Sequence, residues 1–99
     1  MDGALYIMLI ERGKTYNKVT RAVIARHVDN LRKLDDDGTL ALCGISKGWK
    51  GVAGMVIFKA ASLKEAEELC RREPLVAKGF ATYHLSTLQV ANKENNYLL

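Results

Sequence analysis

The chain predicts an α+β fold, a four-stranded antiparallel sheet with two helices on one face. Three observations carry that expectation. Short β-rich runs and two helical stripes follow one another as strand, helix, strand, strand, helix, strand. Each helical stripe opens at a capping residue and closes at a stop residue. The two strands that this order places mid-sheet are apolar throughout, as strands buried on both faces are.

The first strand is the run Ala4-Leu5-Tyr6-Ile7-Met8-Leu9-Ile10, too short for a capped helix and ended by Glu11-Arg12-Gly13. A polar loop follows. Thr20 is the expected cap of a helix over residues 20–37, with Gly38 as its stop. Its apolar positions, Val23, Ile24, Val28, Leu31 and Leu34, recur in steps of three and four and form one stripe, and His27 falls inside it. Residues 39–45 make the second strand, a glycine-rich connection with Trp49 follows, and residues 52–60 make the third strand. Ser62-Leu63-Lys64-Glu65 is a capping box that opens the second helix, whose buried side is Leu63, Ala66, Leu69 and Cys70. Pro74 ends that helix by disfavouring helical geometry at Glu73. A turn through Gly79 leads into a fourth strand over residues 80–90.

This order is the ferredoxin-like, or split βαβ, arrangement. Right-handed crossovers put both helices on one face, strands one and three in the centre and strands two and four at the edges. Residues 1–91 are expected as one domain, and residues 92–99 as a polar C-terminal tail and a candidate for disorder. The helices cover only one face, yet strands one and three are apolar on both. No element is left to cover the second face, so a homodimer through facing sheets is expected.

Composition excludes several classes. With 99 residues, 48% hydrophobic and 26% charged, the chain is neither a disordered segment nor a coiled coil. No apolar run approaches the ~18 residues that span a bilayer, so no membrane partner is expected. The opening Met1-Asp2-Gly3 has no signal-peptide pattern, which predicts a cytoplasmic protein with two free thiols at Cys43 and Cys70. Neither cysteine nor histidine spacing suits a metal, and no serine sits in a nucleophile elbow. No organic cofactor is expected. Lys78-Gly79-Phe80-Ala81 is similar to the opening of an RNA-recognition motif, but it follows the second helix instead of preceding it, and Thr82 stands where a stacking ring is required. Nucleic acid is therefore not an expected partner.

Four kinds of residue could carry chemistry. His27 is either a general acid/base or a hydrogen-bonded core histidine. The net charge is +4 and the basic residues are scattered; the densest stretch, Arg12, Lys14, Lys18, Arg21 and Arg26, either attracts a small anionic molecule or forms a solvated loop and helix start. Trp49 either lids a pocket or packs across a dimer. His84 either lines a pocket or an interface or is a half-exposed residue on an edge strand, the latter being the expectation.

Further residues carry a resemblance. His27 is followed by Leu34, Gly38, Leu40 and Gly44, then Gly54 in strand three, then residues 61–67 and the run Glu73-Pro74-Leu75-Val76-Ala77-Lys78-Gly79-Phe80. Over residues 4 to about 90 this resembles the YCII-related family of small proteins. The resemblance implies a dimeric α+β barrel, in which two ferredoxin-like sheets face each other. Some members act on muconate-like ring-cleavage products as lyases or isomerases, with a helix-one histidine and the aspartate of an Asp-Pro turn as suspected catalytic pair. Those positions are His27 and Glu73 here, Glu73 being one methylene longer than the family's aspartate. The family's fourth strand often ends in a proline-tryptophan pair; here Thr87 and Leu88 stand near that place instead.

Two functions follow from these readings. One is a small-molecule lyase or isomerase in which His27 moves a proton and Glu73 orients it, with Arg12, Lys14, Arg26 and Trp49 as substrate-binding candidates. The other is a non-catalytic ligand-binding or interaction module of the same dimeric fold. A solvent-connected pocket at His27 favours the first.

Overall fold

The computed structural model describes residues 4–99; Met1, Asp2 and Gly3, the expected start of the domain, lie outside the described residues. Strands β1 (Ala4–Arg12), β2 (Leu40–Ile45), β3 (Val52–Ala60) and β4 (Ala81–Leu88) form one antiparallel sheet in the order β2-β3-β1-β4. This is the predicted topology. Helices α1 (Arg21–Asp36), α2 (Leu63–Arg72) and a single turn, α3 (Pro74–Ala77), complete the domain.

The helix ends form where their residues dictate. The Thr20 hydroxyl accepts from the Val23 N–H at 3.3 Å, and Gly38 takes a left-handed φ of +82° just beyond α1. The Ser62 hydroxyl accepts from the Glu65 N–H, while the Glu65 carboxylate reaches the N–H of Ala61 instead of that of Ser62. The segment after Glu73, expected as an irregular turn, is the one-turn helix α3, with Pro74 in its first turn where no amide donor is required. Strand β4 is shorter than expected at both ends. Beyond it the tail has a local order of its own, with Asn92 and Asn95 capping each other reciprocally.

Register decides what each strand residue does. Tyr6 pairs with Phe58, and Met8 with Val56. These side chains, with Ile10, Ala66, Cys70 and Leu75, are the core beneath the helices. Tyr6 and Phe58 stack at 6.0 Å between ring centroids, and Met8 and Phe58 are fully buried. Burial of each such side chain is worth roughly 1.5–3 kcal/mol. The alternate residues Leu5, Ile7, Leu9 and Ile57 lie on the opposite face, together with Met55 and Leu42. No helix covers that face; Met55 is 37% exposed and Leu42 61%.

Helix α1 departs from the expected packing. Of its apolar stripe only Val23 is buried; Ile24 and Val28 are 41% and 42% exposed. The helix packs against α3 and touches β2 without lying flat on the sheet. The stripe therefore faces an opening, and that opening positions the site. Leu63, expected to be buried on α2, is 56% exposed.

Candidate active site

Between α1 and the β2–β3 side of the sheet lies a cavity of about 360 Å3, within the range of small-molecule sites. Ile24, Val28 and Leu31 form its helical wall, and Cys43, Ile45 and Val56 contribute from the strands. Gly54 lines it too. A Cβ there would stand 2.7 Å from the Gly44 carbonyl oxygen, so the close approach of β2 to β3 at this point requires glycine. His27 borders the cavity from α1, and Tyr16 lines it from the loop after β1.

The His27 and Glu73 side chains meet: Nδ1 of the ring is hydrogen-bonded to Glu73 Oε1. Their positions follow from local rules. His27 lies one turn beyond the buried Val23, on the side of α1 that faces inward. Glu73 caps α3, and its Oε2 accepts from the N–H groups of Leu75 at 2.7 Å and Val76 at 3.4 Å. Pro74 fixes the turn that aims the side chain back toward α1. The carboxylate is almost wholly buried, while the His27 side chain retains 19% of its surface. Every buried polar side-chain atom among the described residues has a partner.

Both oxygens of Glu73 act as acceptors, so His27 Nδ1 is the donor of their shared bond. In the neutral imidazole this puts the lone pair on Nε2, which has no hydrogen-bond partner among the described residues. The carboxylate therefore fixes the tautomer and stabilises an imidazolium if Nε2 takes a proton. The arrangement can perform general acid–base chemistry on a ligand in the cavity.

The other candidates lie elsewhere. Arg12 donates from Nη1 to the Val52 carbonyl at 3.1 Å, and its guanidinium stands 5.5 Å from the centroid of the Tyr16 ring. Lys14 and Arg26 are exposed, and Trp49 is 64% exposed in the β2–β3 connection. None of these four lines the cavity. His84, at the β4 edge, pairs with Glu11 at 2.8 Å on the uncovered face of the sheet. Sequence reasoning missed Tyr16 and Cys43 as cavity residues. Tyr16 sits in a polar loop with no periodicity to place it, and Cys43 reads as an ordinary strand residue.

Comparison with known proteins gives the following. A family model described as the YCII-related domain matches residues 4–89. Among solved structures, 5-chloro-2-hydroxyhydroquinone dehydrochlorinase from Burkholderia phenoliruptrix AC1100, in complex with 2,5-dihydroxybenzoquinone, is similar with a TM-score of 0.64. The match covers 93% of this chain and 99% of that one at 14% identity, so the likeness is one of fold. No curated protein matches the chain.

Proposed function

The chain belongs to the YCII-related family, and from that premise we propose that it is a small-molecule lyase or isomerase in which His27 is the general base and Glu73 the residue that orients it. One observation carries the reading: a histidine tied by Nδ1 to a buried carboxylate, with its other nitrogen unpartnered, borders a cavity. A core histidine would be sealed and satisfied at both nitrogens.

The cavity also indicates a substrate class. Its walls are apolar, and no Lys or Arg lines it among the described residues. A neutral or weakly acidic ring suits such walls better than the small anion expected from the basic residues around Arg12, because an anion there would lack a counter-charge. Abstraction of a proton from such a ring by Nε2 pushes its electron pair toward a ring oxygen or a leaving group. The proton then returns at another atom in an isomerase, or departs together with the expelled anion in a lyase. The fold-level likeness to a dehydrochlorinase is compatible with the second outcome.

The reading includes a homodimer through the uncovered sheet face. Its support is the row of apolar residues there, which a single chain leaves without a cover.

Chloride release from 5-chloro-2-hydroxyhydroquinone tests the enzymatic reading. Turnover by the wild-type protein, reduced about 100-fold or more in both His27→Gln and Glu73→Gln, is the expected result. In Glu73→Gln the amide N–H can donate to Nδ1, which moves the ring proton to Nε2 and removes the base. Turnover of wild-type speed in His27→Gln, or no turnover of this or any related chlorinated hydroquinone, would leave the non-catalytic ligand-binding module as the better account.

A further inference from the structure

Negative charge that develops on a ring oxygen inside an apolar cavity requires a hydrogen-bond donor aimed at it. His27 cannot be that donor while its Nε2 acts as base. Of the remaining cavity residues, Cys43 offers only a weak S–H donor, and Tyr16 is the one side chain with a strong donor among the described residues. We propose that Tyr16 is the substrate-orienting hydrogen-bond donor of this site, meeting the substrate oxygen on which charge develops as His27 takes a proton; the inference rests on the acid–base reading above.

The Tyr16 hydroxyl has no hydrogen bond among the described residues, while its backbone N–H and carbonyl are both bonded. Its ring packs half-buried against the core. Its backbone belongs to a single 3-10 turn over Tyr16–Lys18. That turn is anchored by Gly13 N–H to the Phe80 carbonyl at 2.9 Å, by Tyr16 N–H to the Gly13 carbonyl, and by Val19 N–H to the Tyr16 carbonyl. Arg12 lies over the ring, and is itself tied to the Gly51 and Val52 carbonyls at the start of β3. A phenol clamped by ring and backbone with a free hydroxyl is a preorganised donor, because little has to reorganise when charge appears. Arg12 is then a positioning residue that acts through Tyr16.

The step balances simply. The substrate's bond to hydrogen breaks, the proton goes to His27 Nε2, and the electron pair is delocalised onto the ring oxygen that Tyr16 contacts. Tyr16 keeps its own proton throughout. The preferred substrates therefore carry a carbonyl or phenolic oxygen on the ring.

The probe is 4-nitrophenol, a single-ring phenol whose absorbance reports its ionisation. Binding and the apparent pKa of the bound phenol are measured in the wild type, Tyr16→Phe, which keeps the ring over Arg12, and His27→Gln. The expected result is roughly 10- to 100-fold weaker nitrophenolate binding in Tyr16→Phe. An upward shift of about one unit in the bound phenol's pKa should accompany it, which a merely structural role would not produce. In wild-type protein labelled at tyrosine Cζ, the Tyr16 resonance should move on adding 4-nitrophenol while that of Tyr83 stays, a readout independent of how any variant folds. A Tyr16→Phe variant that binds and ionises the probe as the wild type does, while His27→Gln does not, overturns the role of Tyr16 and leaves the acid–base reading standing. A Tyr16 resonance unmoved by bound probe overturns it as well. No binding by the wild type at millimolar probe overturns both.

Discussion

Glu73 takes part in two structures at once. Oε1 holds the His27 ring, and Oε2 closes the first turn of α3. Glu73→Ala therefore removes a helix cap, worth about 1 kcal/mol, and strands the partner of a half-buried histidine, worth about 1–2 kcal/mol. Urea denaturation should show a loss of roughly 2–3 kcal/mol for Glu73→Ala, and a smaller loss for Glu73→Gln, whose amide oxygen can still cap. The two thiols should differ just as clearly. Cys43 is exposed at the cavity, whereas Cys70 is buried and burial pushes its thiol up to about 12. A disulfide reagent at pH 8 should titrate one thiol per native chain and two after denaturation, and a ligand in the cavity should slow the first. Two fast thiols in the native protein would contradict the packing of α2.

The elements meet through a few specific contacts. Gly38 ends α1 at φ +82°, and an added Cβ would meet open space. Gly38→Ala thus costs backbone strain alone, about 1–2 kcal/mol in a chemical denaturation. Gly54→Ala acts differently, since its Cβ would press on the backbone of β2 and enter the cavity. It should weaken ligand binding as well as stability. Helix α2 is tied to β4 by the Tyr83 hydroxyl, which donates to Glu67 at 2.7 Å. That bond raises the phenol above its ordinary pKa of 10.0, and desolvation raises Cys70 on the same helix. Both groups hold their protons more tightly folded than unfolded. Their contribution is full below the ordinary values of 9.0 and 10.0 and is lost as pH rises through the folded ones, near 12 for Cys70. The urea midpoint should therefore fall between pH 8.5 and pH 11, and fall less steeply in Tyr83→Phe.

At the scale of the whole molecule the uncovered sheet face sets the expectation. It carries Leu5, Ile7, Leu9, Met55 and Ile57, flanked on one side by the polar Thr82, His84 and Ser86 of the edge strand β4. Sedimentation at low micromolar concentration should give about twice the chain mass, because burial of several such side chains at roughly 1.5–3 kcal/mol each outweighs the cost of association. Register supplies a sharper test than mass alone. Ile57→Asp changes the uncovered face and should yield a folded monomer. Met8→Asp buries an unpaired carboxylate in the core and should unfold the chain. A folded, monomeric wild type would sink the dimer.

The topology of this protein was legible in its residues because the signals are local. Alternation, the caps at Thr20 and Ser62, the stop at Gly38 and the Glu73-Pro74 break each act within a few positions, and handedness then leaves one strand order. The residue types of an acid–base pair were legible through the resemblance that His27 and Glu73 carry, but periodicity could not bring them together. Forty-six positions separate them, and their contact depends on how α1 leans on α3. That lean decided the rest. It keeps Ile24 and Val28 from packing on the sheet, opens the cavity, and turns Tyr16 from a loop residue into a wall. Such facts depend on the angle between elements, which is set by the sum of many side-chain contacts and by no short pattern in the chain.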